Sequence, residues 1–166
     1  MTATVQHTPD TRLQQHFRAA MGNVAGGVVV ATTQDERGPH GTTVSAFTSL
    51  SIEPPMVLVA LDVRSSLLDR LGVGSPLGVN VLAAHQDQVA LRFATKGHDR
   101  FADVGWSSDH GAPALDDRHA WIAGRVARLV EGGDHVVVLV DVVHAEAGEQ
   151  APLTYWQRTF GTHHAF

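Results

Sequence analysis

Gly41-Thr42-Thr43-Val44-Ser45-Ala46-Phe47-Thr48-Ser49-Leu50-Ser51-Ile52-Glu53-Pro54-Pro55 is the stretch on which the reading of this chain turns. Hydroxyl side chains recur from Thr42 to Ser51 as a β-type run passes into a turn. Hydroxyls and backbone amides grouped in this way suit a phosphate or the carbonyl edge of a heterocycle. Ser/Thr-rich turns also satisfy their own backbone, so the residues alone leave both readings open. Pro54-Pro55 then marks the start of Met56-Val57-Leu58-Val59-Ala60-Leu61, a continuous apolar run of the kind found in strands buried on both faces.

Upstream, Val28–Thr33 and Gly41–Ala46 flank the turn-forming Asp35-Glu36-Arg37-Gly38-Pro39 and read as a hairpin. Leu13, Phe17, Ala20, Met21 and Val24 recur at helical spacing, which predicts a helix over residues 11–23. Residues 1–12 read as a flexible tail, and residues 13–166 as one domain. Downstream, residues 65–71 suggest a short helix with Ser65 or Ser66 near its start. Leu77–Leu82 reads as a strand and Gln86–Ala94 as a helix. Thr95–Asp117 reads as an irregular loop too long to be an idle connection. Ala120–Val130 and Val136–Val143 pair across Glu131-Gly132-Gly133-Asp134-His135, the pattern of a hairpin. The chain is therefore mainly β, with about six strands and a few short helices, and closure into a β-barrel would remove its exposed edges.

Composition narrows the function. The net charge is −5 and no Lys/Arg cluster is present, so no nucleic acid is expected as a partner. There is no cysteine, which removes thiol nucleophiles, thiolate metal sites and disulfides and fits a reducing compartment. The longest apolar runs are far shorter than the ~20 residues that cross a bilayer. No membrane association is expected, and a cytoplasmic location is the simplest reading. Gly72-Val73-Gly74-Ser75-Pro76 is the nearest approach to a dinucleotide fingerprint, but its third glycine is out of register. P-loop, nucleophile-elbow and zinc-protease motifs are absent. The eleven histidines are dispersed, so no metal site is expected.

The opening stretch resembles the flavin reductase-like family of FMN-binding split barrels, whose members carry T-x-S-[SA]-F-x-S-[VL]-S-x-x-P-P. Ala46 stands where a second serine is often found. The resemblance continues through Asp62-Val63-Arg64-Ser65-Ser66, Val79-Asn80-Val81-Leu82, Arg92-Phe93-Ala94 with Asp99-Arg100-Phe101, and Gly133-Asp134-His135. It implies a closed six-stranded split β-barrel of Greek-key type, working as a homodimer. It implies an NAD(P)H:flavin oxidoreductase that moves a hydride from NADH, or NADPH, to FMN or FAD and passes reduced flavin to a monooxygenase. A non-catalytic flavin-binding protein and an oxidase with permanently bound flavin are the alternatives on the same fold.

The resemblance also implies a site. Thr32, Thr43, Val44, Ser45, Ala46, Phe47, Ser49, Ser51, Arg64, Ser65, Ser66, Asn80, Phe101 and Tyr155 are its expected flavin contacts. His135 is its expected catalytic residue, positioning the nicotinamide. The residues read for themselves leave several of these open. Arg64-Ser65-Ser66 is an anion site or an ordinary helix cap. A buried Asn80 needs a partner, which is the flavin or a neighbouring strand. Phe47, Phe93 and Phe101 are ring walls or core, and Tyr155 approaches the flavin or caps the barrel.

Overall fold

The computed structural model describes residues 10–165. Asp10 caps the first helix, α1 (Thr11–Met21), its carboxylate accepting from Arg12 N at 3.0 Å and Leu13 N at 3.1 Å. The helix thus begins inside the expected tail, whose residues 1–9 lie outside the described part. Strands follow as β1 (Gly26–Gly27), β2 (Val29–Asp35), β3 (Gly38–Val44), β4 (Phe47–Ile52) and β5 (Pro55–Asp62). After a single 3₁₀ turn at Leu68–Arg70 come β6 (Pro76–Val81) and α2 (Asp87–Ala94). The chain ends with β7 (Trp106–Asp109), β8 (Ala112–Leu115), β9 (Ala120–Gly132), β10 (His135–Ala147), β11 (Leu153–Trp156) and β12 (Thr159–Thr162).

The main sheet is antiparallel, with seven strands in the order β3-β2-β6-β9-β10-β5-β4. The mainly β expectation holds, but six strands and a closed ladder are not what the backbone pairing gives. β3 and β4 are the two ends of the sheet, and no ladder joins them among the described residues. The connection Ser45-Ala46 turns the chain from one end strand to the other, and Ala46 O accepts from Ala60 N at 2.9 Å, on β5. Val44, Val29, Val79, Val126, Val138 and Val59, from six different strands, nevertheless meet in one buried cluster. The sheet is therefore strongly curled, with its inner face wrapped around a shared core.

A second cluster lies on the opposite side of β2, where Val28 and Val30 meet Leu82, Phe93, Phe101 and Leu115. Phe93 and Phe101 pack edge to face, with centroids 4.9 Å apart at 89°. Glycines permit two close approaches. A Cβ on Gly41 would stand 2.9 Å from the Phe93 ring of α2, and one on Gly78 would run into the Trp121 indole.

Three local expectations need correction. β5 alternates, with Val57, Val59 and Leu61 buried and Met56, Leu58 and Ala60 half-buried, because only one face of the curled sheet meets the core of this chain. Residues 65–71 form a turn and a 3₁₀ turn whose cap is Leu67, not a helix starting at Ser65 or Ser66. The supposedly irregular 95–117 segment holds the β7–β8 hairpin, and Ala112–Leu115 are all buried. Small residues and Pro113 hid that strand, since neither carries the β-branched signal of the others.

Candidate active site

A cleft of about 380 Å³ opens where β3 leaves the sheet. One wall is the run Thr42–Ala46, and the facing wall is the end of β5 with its turn Asp62–Ser66. Ala94, at the end of α2, and Lys96 and Arg100 after it close one side. His135 opens β10 directly opposite Asp62 in the antiparallel register and completes the rim. Of the expected contacts, the fold therefore brings together Thr43, Val44, Ser45, Ala46, Arg64, Ser65, Ser66 and His135.

Their chemistry differs. The Thr43 hydroxyl donates to Ala90 O at 2.6 Å, tying β3 to α2, so its oxygen is already engaged. Thr42, Ser45, Ser65 and Ser66 line the same cleft. Arg64 folds back on Asp62. Its Nε donates to Oδ1 at 2.9 Å, its Nη2 to Oδ2 at 2.7 Å, and its backbone N to Oδ1 at 2.8 Å. These bonds hold the Asp62 carboxyl well below the usual carboxylate range and raise the Arg64 guanidinium. With no helix beginning at Ser65 and its charge cancelled by Asp62, Arg64 is not the free anion hook that the helix-start reading supposes.

The remaining positive charge was missed by sequence reading. Lys96 is the only lysine in the chain, and it forms no ion pair among the described residues. Arg100 donates through Nη1 to Gly41 O at 2.7 Å and through Nε to Thr95 O at 2.9 Å, pinning the loop after α2 to β3. Partial burial pushes its guanidinium pKa down. A lone lysine just past a predicted helix was the available signal.

His135 Nδ1 lies 2.8 Å from Asp134 Oδ1, and this bond holds the Asp134 carboxyl below its ordinary value. An ionised carboxylate only accepts, so Nδ1 carries the proton and a neutral ring presents its lone pair at Nε2. Val63 N donates to Asp134 O at 3.0 Å, joining the two turns of the rim. A second cavity of about 230 Å³ adjoins the first through Thr43, Val44, Ser45 and Ala94. Its outer wall is apolar, formed by Leu91, Tyr155 and Phe160, with the two rings 5.1 Å apart.

The other expected contacts lie elsewhere. Thr32 is fully buried and donates to Pro113 O at 2.7 Å. Asn80 is also fully buried. Its Nδ2 donates to Val30 O, Thr32 Oγ1 and Pro113 O, and its Oδ1 accepts from Leu115 N at 2.7 Å. Both therefore hold the β7–β8 hairpin to the sheet instead of facing the cleft. Phe101 belongs to the second core cluster, and Phe47 packs against the first. Ser49 and Ser51 sit on β4, outside the cleft.

A family model described as the flavin reductase like domain matches residues 21–164. The chain belongs to this family. A flavin reductase relative, the reductase component of 4-nitrophenol 4-monooxygenase/4-nitrocatechol 2-monooxygenase from Rhodococcus opacus, is 37% identical over 87% of this chain and 78% of its own length. An NADH:riboflavin 5'-phosphate oxidoreductase from Streptomyces pristinaespiralis is 36% identical over 89% of this chain and 87% of its own. The fold matches that of the Streptomyces globisporus NADH:FAD oxidoreductase, solved with NAD and FAD fragments, at a TM-score of 0.85. That similarity has 29% identity and covers 94% of this chain and 96% of the other.

Proposed function

We propose that this chain is an NADH-dependent flavin reductase that transfers a hydride from NADH to FMN or FAD and supplies the reduced flavin to a monooxygenase component. The observation that carries the reading is a pair of adjoining cavities that share Thr43, Val44, Ser45 and Ala94, one lined by Lys96, Ser65 and Ser66 and the other by the apolar Leu91, Tyr155 and Phe160. A phosphate on a flat heterocycle has that same polarity. The flavin supplies the hydride acceptor, so the protein needs no nucleophile and contributes mainly alignment.

Each residue then has a task. Lys96 with the Ser65 and Ser66 hydroxyls holds the phosphate. Ser45 and the backbone of Val44–Ala46 meet the polar edge of the ring. His135, oriented by Asp134, offers Nε2 to the nicotinamide carboxamide, and the apolar wall excludes water. NADH is preferred over NADPH because Arg64 is neutralised by Asp62 and Arg100 is engaged by Gly41 and Thr95, which leaves no spare pair of charges beside Lys96 for a 2′-phosphate.

The working molecule is a cytoplasmic homodimer with its sheet acting as a split barrel. Met56, Leu58, Val137 and Leu139 form a half-exposed apolar row on the outer face of β5 and β10, and Ile52 on β4 is 83% exposed. A second copy covers this face. Such an interface buries roughly 2,000 Å² or more, so light scattering at micromolar concentration shows a dimer.

The function is tested by flavin fluorescence titration and by NADH oxidation with and without added FMN. Flavin quenching and turnover that depends on added flavin are expected. Binding without turnover would leave only a flavin-binding protein. Turnover indifferent to added flavin would favour a permanently bound group, and failure to bind either flavin would end the reading.

A further inference from the structure

Lys96 stands on a short loop whose neck is closed by one side chain. Thr95 ends α2, its backbone N donating to Leu91 O at 3.1 Å and Arg92 O at 3.3 Å and its hydroxyl to Leu91 O at 2.9 Å. On the far side of the loop, Arg100 returns its Nε to Thr95 O at 2.9 Å. Phe101 then enters the second core cluster, its N donating to Asp99 Oδ1 at 2.9 Å. Both ends of the loop are therefore fixed. Between them Lys96, Gly97 and His98 are exposed and form no hydrogen bond among the described residues, and Gly97 turns the chain at φ +89°.

The same guanidinium reaches β3. Arg100 Nη1 donates to Gly41 O at 2.7 Å, the carbonyl just before Thr42, where the cleft wall begins. Hydrogen bonds from an ionised donor are roughly twice as strong as neutral ones, and a planar guanidinium can hold two acceptors at once. β3 is a firm base for this hook, because the Thr43 hydroxyl donates to Ala90 O and the Phe93 ring packs against Gly41. The carbonyl that precedes Lys96 is thus set by β3 as well as by α2. A lysine side chain carries large rotamer entropy, and a wandering backbone beneath it would add to the cost of closing on an anion.

We infer that Arg100 is a positioning residue that makes the cleft specific for flavins bearing a phosphate: it acts through Lys96, by closing the neck of its loop and hooking it to β3, and not by touching the phosphate itself. The inference rests on the flavin reductase reading and on Lys96 as the cation that meets the phosphate. Riboflavin, which lacks the phosphate, gains nothing from this staple. Lysine at position 100 would keep the positive charge but could not hold both carbonyls, since its ammonium is a point charge without the planar fork. Charge and staple are therefore separable.

The test is fluorescence titration of the full chain with FMN and with riboflavin, read for each variant as the ratio of the two affinities, so that general damage to the fold or the ring site cancels. Arg100→Lys should lower the preference for FMN about two- to tenfold, the cost of ordering one long side chain without its anchor, and Arg100→Ala should lower it by a similar factor. Made in the Lys96→Ala background, Arg100→Lys should change the ratio by less than about twofold, because the residue acts through Lys96. A wild-type ratio in Arg100→Lys overturns the inference, whether Arg100→Ala then lowers it, as a direct phosphate ligand would, or leaves it alone, as a purely structural residue would. Equal losses with and without Lys96 also overturn it, since Arg100 would then act on its own. An Arg100→Lys variant that loses riboflavin as fully as FMN makes the residue a support of the whole cleft and overturns its specific role, and the two lysine-substituted variants decide the matter even where Arg100→Ala does not fold. A Lys96→Ala variant with wild-type preference would instead defeat the place given to Lys96, and a wild type that binds neither flavin would defeat the reductase reading, so the failures are distinct.

Discussion

Replacing Asn80 by alanine separates the two roles that sequence and structure give this residue. As a flavin contact, its loss would weaken flavin binding and leave the fold alone. In the structure it is fully buried and its carboxamide joins three chain segments. The alanine variant leaves the Leu115 N–H without its acceptor at 2.7 Å, in a residue that is itself fully buried. An orphaned buried donor costs about 1–3 kcal/mol. The three bonds from Nδ2, at 3.2–3.3 Å, add less, because the Pro113 carbonyl keeps the Thr32 hydroxyl as a donor. The expected total is about 2–4 kcal/mol, a large share of the ~5–15 kcal/mol that holds a domain together. With a urea slope of about 2 kcal/mol/M, the unfolding midpoint should fall by roughly 1–2 M. Asn80→Asp should be worse, since it keeps the acceptor for Leu115 but loses the donors and buries a charge. Flavin affinity of the folded alanine variant should match wild type. A midpoint that stays put while flavin binding collapses would refute the reasoning and return Asn80 to the site.

Three further outcomes follow from the cleft and its surroundings. Lys96→Ala should weaken FMN binding by about 5- to 30-fold, discounted for the exposure of the side chain, while riboflavin, which lacks the phosphate, should bind as before. His135→Ala should lower NADH turnover by about 5- to 150-fold, from the ~1–3 kcal/mol of one orienting hydrogen bond, and change flavin affinity less. Asp35 is held at about 2, against an ordinary 3.8, chiefly by the His40 hydrogen bond and also by Arg37 N and Arg70, and Asp62 and Asp134 are lowered as well. A carboxyl lowered in the folded state contributes its full stability above its unfolded value and loses it as pH falls, so urea midpoints should decline from about pH 5 toward pH 2.

The elements easiest to read were those whose side chains repeat with a fixed period. β2, β3, β5, β6, β9, β10 and α2 all stand close to where alternation, helical spacing and glycine turns put them. β8 was invisible, since Ala112-Pro113-Ala114-Leu115 is buried by the hairpin it forms and not by any bulk of its own. The curvature of the sheet was equally out of reach, because it depends on which strands meet around the core. The same division runs through the site. Local motifs brought Thr43–Ala46, Ser65-Ser66 and His135 to one cleft, whereas Lys96 and Arg100 enter it only because α2 packs on β3. Asn80, a polar residue in an apolar strand, requires a partner, and in the structure β2 and the β7–β8 hairpin supply it, while Thr32, expected from the resemblance alone, is bound to the same hairpin.

The Asp62–Arg64 clamp sets how firmly this cleft holds an anion. A reductase that releases its product gains nothing from trapping it, so limited phosphate affinity suits the task. With Arg64 turned onto Asp62, Lys96 is the one cation of the cleft without a partner among the described residues, as Arg100 is engaged by Gly41 and Thr95. Asp62→Asn should release the guanidinium, while the amide oxygen can still accept from Arg64 N and keep the turn. Because the Arg64 side chain is 81% exposed, the gain in flavin affinity should be small, about two- to fivefold. Turnover with free flavin should fall as release slows, and the effect should vanish with riboflavin. Stopped-flow measurement of reduced-flavin dissociation reads it directly. An Asp62→Asn variant that binds FMN more weakly than wild type would mean that the clamp builds the phosphate site and does not restrain it.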